Sequence, residues 1–187
     1  MNNKIRNTLL ASVLALLATA SNAATVVLEN HSSAVAVGDN LLVDVVLQDP
    51  FSGGFAGDEL LAFGFDLNYD NTAFALRSKT VGSLWDDDTP FLNVGLAGSV
   101  FPSIPDDGSN SPILLGQLYF TALTAGTFTL GVVGNALQNP NLGLIYLGGE
   151  GNILAQTLVN VAPVPLPAAG WLLGSGLFAL FGLRRRR

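Results

Sequence analysis

The chain has 187 residues, 49% of them apolar, with twenty-one glycines, nine prolines and no cysteine. That length holds one ordinary domain plus terminal segments, and the lack of cysteine excludes disulfide staples, thiolate metal sites and cysteine nucleophiles. The net charge of −6 conceals an asymmetry, because six of the eight basic residues are Lys4, Arg6 and Arg184, Arg185, Arg186 and Arg187 at the two ends. The stretch between keeps only Arg77 and Lys79 against all fourteen acids, a formal charge of −12. A surface that acidic repels phosphate backbones and anionic lipids, which excludes nucleic-acid and peripheral membrane binding, although acidity also serves solubility without any ligand.

The N-terminus has the order of a secretory signal peptide. Lys4 and Arg6 precede an uncharged apolar run from Leu9 to Ala18, and small Ser21 and Ala23 stand three and one before a cut ahead of Ala24. A retained anchor is the alternative, but the ten apolar residues fall short of the ~20 that span hydrocarbon. The expected mature chain therefore starts at Ala24, after Sec-type export of a signal helix over residues 1–23.

From residue 24 to 162 no helical period is sustained, while short alternating or apolar runs recur between Gly, Pro, Asn and Asp. Thr25–Leu28 and Leu41–Leu47 are the first candidate strands. His31, the chain's single histidine, lies between them in the polar stretch Glu29–Ser33 and reads as an exposed loop residue. The glycine-rich loop Asp49–Asp58 contains no lysine and is no phosphate cradle. Its Phe51 and Phe55 either tuck into one end of the domain or form an aromatic patch for a sugar ring or protein partner.

In Phe63–Asp70 apolar side chains fall on odd positions and polar ones on even positions, a period of two that turns one strand face inward. Asp66, Asn68 and Asp70 superficially follow a calcium loop, which fails where Asn71 replaces glycine and Arg77 replaces glutamate. Asp86, Asp87 and Asp88, and Asp106 and Asp107, are stronger metal candidates, since clustered loop carboxylates repel one another unless solvated or neutralised by calcium. Phe91–Val100 and Ile113–Leu123 are further strands, and Thr127–Val132 alternates like Phe63–Asp70, so Phe65 and Phe128 are expected in the core. Leu41–Leu47, Ile113–Leu123, Leu142–Leu147 and Ile153–Val161 are continuously apolar, as in central strands between packed layers. The expected loops are Gln48–Glu59, Trp85–Pro90, Pro102–Pro112 and Gly134–Asn141.

Eight or nine strands joined by turn-rich loops make an all-β sandwich, with little helix and no repeat of solenoid or propeller length. The segments Val37–Val45, Gly64–Asp70, Leu118–Ala122 and Ala125-Gly126-Thr127 resemble cohesin-type domains. That resemblance implies a nine-stranded jelly roll that binds dockerin modules or acts as a surface or carbohydrate-associated module. No catalytic residue emerges: one histidine, no Gly-x-Ser-x-Gly elbow, and carboxylate pairs whose separation the sequence does not fix.

Past residue 162, Ala168–Leu183 is sixteen residues without a charge, ending in Arg184–Arg187. As a helix it reaches ~24 Å against a hydrocarbon core of ~30 Å, a marginal transmembrane span. The arginines hold its C-terminus cytoplasmic and place the preceding domain outside. Val164-Pro165-Leu166-Pro167-Ala168, the apolar segment and the arginine cluster together resemble the PEP-CTERM sorting signal in its Val-Pro-Leu-Pro-Ala variant, with a plain tail anchor as the alternative. The resemblance implies recognition by an exosortase in a Gram-negative bacterium that makes extracellular polysaccharide. Three functions remain: a non-catalytic surface or matrix protein, a cohesin-like module for a polysaccharide or protein, and an exported glycan-active enzyme. The first is preferred, with the protein an inner-membrane intermediate, domain in the periplasm, before release to the cell surface or matrix.

The sorting reading requires that the tail be removed after export. Intact-mass analysis of the mature protein should show loss of the segment through Arg187 in wild-type cells and its retention without the exosortase. A tail retained in both strains identifies a permanent anchor instead.

Overall fold

The computed structural model describes residues 24–32 and 34–164, so the expected signal helix, Ala23, Pro165–Ala168, the transmembrane segment and Arg184–Arg187 lie outside the described residues. Among the described residues no helix is long and apolar enough to cross a membrane. The fold is the expected all-β sandwich. Its strands are β1 (Thr25–Asn30), β2 (Val35–Ala36), β3 (Asn40–Gln48), β4 (Glu59–Tyr69), β5 (Phe74–Val81), β6 (Asp86–Asp87), β7 (Leu96–Pro105), β8 (Ile113–Ala122), β9 (Gly126–Gly134), β10 (Gly143–Tyr146), β11 (Glu150–Gly151) and β12 (Ile153–Ala162). Nine have four or more residues, and β2, β6 and β11 are two-residue pairings. A 3-10 turn at Gly53–Phe55 is the one helical element among the described residues.

The smaller sheet has the order β1-β3-β8-β5, all antiparallel. The larger runs β11-β10-β4-β9-β12-β2, with the β6–β7 hairpin added along the first half of β4. Between them lies one apolar layer in which Leu41, Val43, Val45, Leu47, Phe65, Phe74 and Leu115 are fully buried. The phase of β4 is as its alternation requires, Phe63 and Phe65 facing inward and Asn68 and Asp70 outward. Gly64 interrupts that alternation for a steric reason: a Cβ there would stand 1.9 Å from the Asn141 carbonyl oxygen, which crosses the strand.

Aromatic rings join the layers. Phe63 stacks on Phe65 and meets Trp85 edge-on at 4.9 Å, while Phe74 meets Phe120 and Phe128 edge-on. Trp85 also donates Nε1–H to the Leu114 carbonyl at 2.9 Å, which fills its polar requirement inside the core. Ala24 packs against this core, and β1 follows immediately.

Four expectations are corrected. β5 was not anticipated, because a bulge between Leu76 and Ser78 shifts its phase midway. β7 lies about half a strand later than Phe91–Val100, and it runs into the expected Pro102–Pro112 loop. Trp85–Pro90 contributes the pairing β6 rather than loop alone. The runs Leu142–Leu147 and Ile153–Val161 are not buried on both faces and lie near the ends of the larger sheet: β10 has β4 on one side and the two-residue β11 on the other, and β12 has β9 on one side and β2 beside its last two residues. Their continuous apolarity arises because Leu147, Leu154 and Leu158 point to solvent, at 68%, 78% and 70% exposure.

Phe65 is fully buried, whereas Phe128 is half-buried against the core. Replacing Phe65 with Ala should cost ~3–5 kcal/mol and Phe128 with Ala ~1–3 kcal/mol, measured by denaturant unfolding. Equal losses at the two positions would show that the inner layer is placed wrongly.

Candidate interaction surface

Strand register sets the outer face of the smaller sheet. Inward Val43, Val45, Leu118 and Phe120 leave their neighbours Leu42, Asp44, Gln117, Tyr119 and Thr121 facing outward. Leu42 pairs with Tyr119, Asp44 with Gln117 and Asn40 with Thr121. On the flanking strands Glu29 stands opposite Asp44, and Ser78 opposite Tyr119.

Side-chain hydrogen bonds order this face. Asp44 accepts from Gln117 Nε2 at 2.9 Å and pairs with His31 Nε2 at 2.8 Å. Arg77 Nε donates to the Thr121 hydroxyl at 2.9 Å, and that hydroxyl donates to Asn40 Oδ1 at 2.9 Å. Gln48 donates to Glu29 on the edge. Tyr119 lies in the middle, 37% exposed. The arrangement is a mixed polar face with one central aromatic ring and the arginine at one side.

His31 is exposed as expected, but it is not idle, because its ring is the end of the Asp44–Gln117 chain. Asp66, Asn68 and Asp70 do not gather around a common point. Asp66 accepts from the Gly95 amide at 2.7 Å, and Asp70 closes the β4–β5 turn through Thr72.

The two aspartate clusters lie on different elements. Asp86 and Asp87 pair with Ser99 and Gly98 in the hairpin, Asp87 accepts from the Thr89 amide, and the Asp88 amide bonds the Ala97 carbonyl. Asp106 accepts from the Gly57 and Gly108 amides and Asp107 from the Ser109 amide, each in the β7–β8 loop or its contact with the β3–β4 loop. Among the described residues no group of three or more His, Asp or Glu side chains is positioned to hold a metal ion.

Phe51 and Phe55 tuck into the end of the sandwich. Phe55 stacks on Tyr146 at 3.9 Å and Phe51 meets the same ring edge-on, so no open aromatic patch forms there. Burial and the nearby Asp58 carboxylate push the Tyr146 phenol above its ordinary pKa. It stays protonated and donates to the Pro50 carbonyl at 2.6 Å, which fixes the loop.

Sequence reasoning missed Tyr119, Gln117 and Arg77 as members of one surface. The available signal was the position of Arg77 and Lys79, the two cations outside the terminal segments, both on β5.

No protein-family model matches the chain, and no curated protein matches it by sequence. Among solved structures, the fold is similar to a cohesin module from a Clostridium perfringens family 33 glycoside hydrolase, at 13% identity and a TM-score of 0.52 over 75% of this chain and 99% of that one. A third ScaC cohesin from Acetivibrio cellulolyticus, solved with the ScaB dockerin, is 12% identical with a TM-score of 0.47, covering 74% and 99% of the two chains. A type II cohesin from the same organism gives 10% and 0.46 over 73% and 95%. The first of these similarities gives the sandwich the fold of a cohesin module.

Hydrogen bonds from Thr72 hold the exposed Asp70 carboxyl below its ordinary value, and bonds from Ser109 do the same for Asp107. A depressed folded-state pKa contributes stability above the unfolded value of about 4, and that contribution is lost as pH falls through the folded value. In thermal melts between neutral and strongly acid pH, the double variant Asp70→Asn, Asp107→Asn should lose less stability below about pH 4 than the parent. Parallel curves would remove the assignment.

Proposed function

We propose that the chain is an exported, non-catalytic protein whose cohesin-like sandwich is a binding module, presenting the outer face of the smaller sheet to a protein partner of dockerin-like kind. The observation that carries this reading is the pre-ordered side-chain network around exposed Tyr119, with Arg77 bonded to Thr121 at its side. Tyrosine and arginine supply a large share of binding energy at protein interfaces, and side chains already fixed by neighbours lose less entropy on association.

The absence of enzymatic activity belongs to the same proposal. The single histidine is committed to an exposed pair with Asp44, and the carboxylates of the described loops serve turns and strand ends. Sorting by an exosortase rests on the sequence of residues 164–187, with the sandwich delivered to the cell surface or extracellular matrix. Polysaccharide association is a second reading and rests on the sorting signal together with the carbohydrate-associated role that the cohesin resemblance implies.

Immobilised mature protein, exposed to matrix extract from the producing bacterium, should retain a defined protein partner. Tyr119→Ala and Arg77→Ala should each weaken retention about tenfold or more, as expected for interface anchors, while Leu158→Ser on the other sheet leaves it unchanged. Retention of polysaccharide only, indifferent to these substitutions, would overturn the reading.

A further inference from the structure

A second surface lies at one end of the sandwich. β3 ends at Gln48, β4 begins at Glu59, β7 ends at Pro105 and β8 begins at Ile113, and register brings all four to the same end. β12 begins level with the middle of β4, Leu154 standing opposite Val133 and Val133 opposite Asp66, and its far end at Ala162 is held by pairing with β2 and by the Val37 amide. Ten extended residues at ~3.3 Å each separate the two ends of that strand, roughly 30 Å.

Here the β3–β4 loop, the β5–β6 connection and the β7–β8 loop enclose a groove of about 200 Å³. Its apolar lining is supplied by Pro50, Phe51, Leu84, Ile104, Pro112 and Ile113. Leu84 is 57% exposed on one wall, whereas Phe51 is only 5% exposed beneath Tyr146. The Pro50 lip is fixed by the Tyr146 hydroxyl bond and the Phe55–Tyr146 stack.

The rim is acidic. Asp107 lines the groove itself, Asp49 and Asp106 adjoin the lining residues Pro50 and Pro105 in the chain, Glu59 pairs with Pro105, and the Asp58 carbonyl accepts from the Asp106 amide. Their hydrogen bonds come from backbone amides and hydroxyls, as for Asp58 with Gly148, Asp106 with Gly57 and Glu59 with Ser103, which leaves the negative charge uncompensated. The two cations of the described chain are committed elsewhere, Arg77 to Thr121 and Lys79 to the Gly95 carbonyl.

We propose that this groove binds a basic peptide segment of a partner protein, with a bulky aliphatic or aromatic side chain in the groove and flanking lysines or arginines on the acidic rim. Charge complementarity chooses the occupant. The acidic rim favours cations and steers them to this end, while the apolar lining adds a term that a bare cation cannot use. A sugar ring fits less well, because the one aromatic side chain of the lining is covered by its neighbours and offers no open face for stacking. This surface is separate from the outer face of the smaller sheet, so the inference stands whether or not that face binds a partner.

The test uses the full-length chain in detergent and a fluorescent hexapeptide with a central Leu-Trp pair between two lysines on each side. A control peptide replaces Leu-Trp with Ser-Gly, and a second replaces the lysines with glutamates. Fluorescence anisotropy should show the first peptide bound about tenfold more tightly than the Ser-Gly control, with the glutamate peptide not bound. Leu84→Ser should abolish the advantage over the Ser-Gly peptide. Asp107→Asn, which keeps an acceptor for the Ser109 amide, should weaken both lysine peptides, whereas Asp70→Asn at the opposite end should not. Equal binding of the two lysine peptides would mean nonspecific charge attraction and overturn the proposal, as would a Leu84→Ser protein that binds normally. Displacement of the Leu-Trp peptide by neutral matrix polysaccharide at lower concentration than by unlabelled peptide would assign the groove to sugar instead.

Discussion

The structure depends on one apolar layer being closed from both sides. With no cysteine in the chain, the two sheets are held by what their inward side chains bury against each other. Phe65, Phe74 and Phe120 are the large members of that layer, and their edge-on contacts with Tyr69 and Phe128 and the stack on Phe63 tie β4, β5, β8 and β9 together. A pleated strand that turns one side chain inward must turn the next one outward. The demand for a closed interior therefore decides which residues are left for function.

On the smaller sheet the outward residues are mostly polar and bonded to one another across all four strands. Asp44 links β3 to β8 through Gln117 and reaches His31 beyond β1, while Thr121 joins Arg77 of β5 to Asn40 of β3. Among the described residues no buried side-chain polar atom lacks a partner, so the order of this face does not come at the cost of an unsatisfied interior. The larger sheet is different. Leu154 and Leu158 are exposed on β12, Leu154 with the part-exposed Val133 opposite it, and exposed apolar residues in such small numbers are ordinary on protein surfaces.

The class of the fold was legible because β3, β4, β8 and β9 each carry a long apolar or alternating run, and β4 shows its inward face in the alternation of Phe63 and Phe65 with Asp66 and Asn68. Legibility failed where a second influence entered. The β5 bulge between Leu76 and Ser78 breaks the period of two, so this strand shows no sustained alternation in the sequence. In β7, four residues between Ser99 and Ile104 face one residue between Leu60 and Ala62, an irregularity no local pattern announces. Exposed leucines on β12 imitated a buried strand. The interaction face was illegible for the same reason as β5: its rows exist only once β5 is paired with β8 in register. The groove needed three loops distant in sequence to meet, and of its lining the sequence singled out only Phe51 and Asp107.

Site-specific photo-crosslinking tests most directly the claim that the ordered outer face of the smaller sheet is where the protein meets its partner. A photoreactive amino acid in place of Tyr119, introduced in the producing bacterium, should yield one dominant crosslinked protein at the cell surface or in the matrix. The same group in place of Leu158 should yield none. Crosslinks from position 158 without any from position 119 would contradict the account.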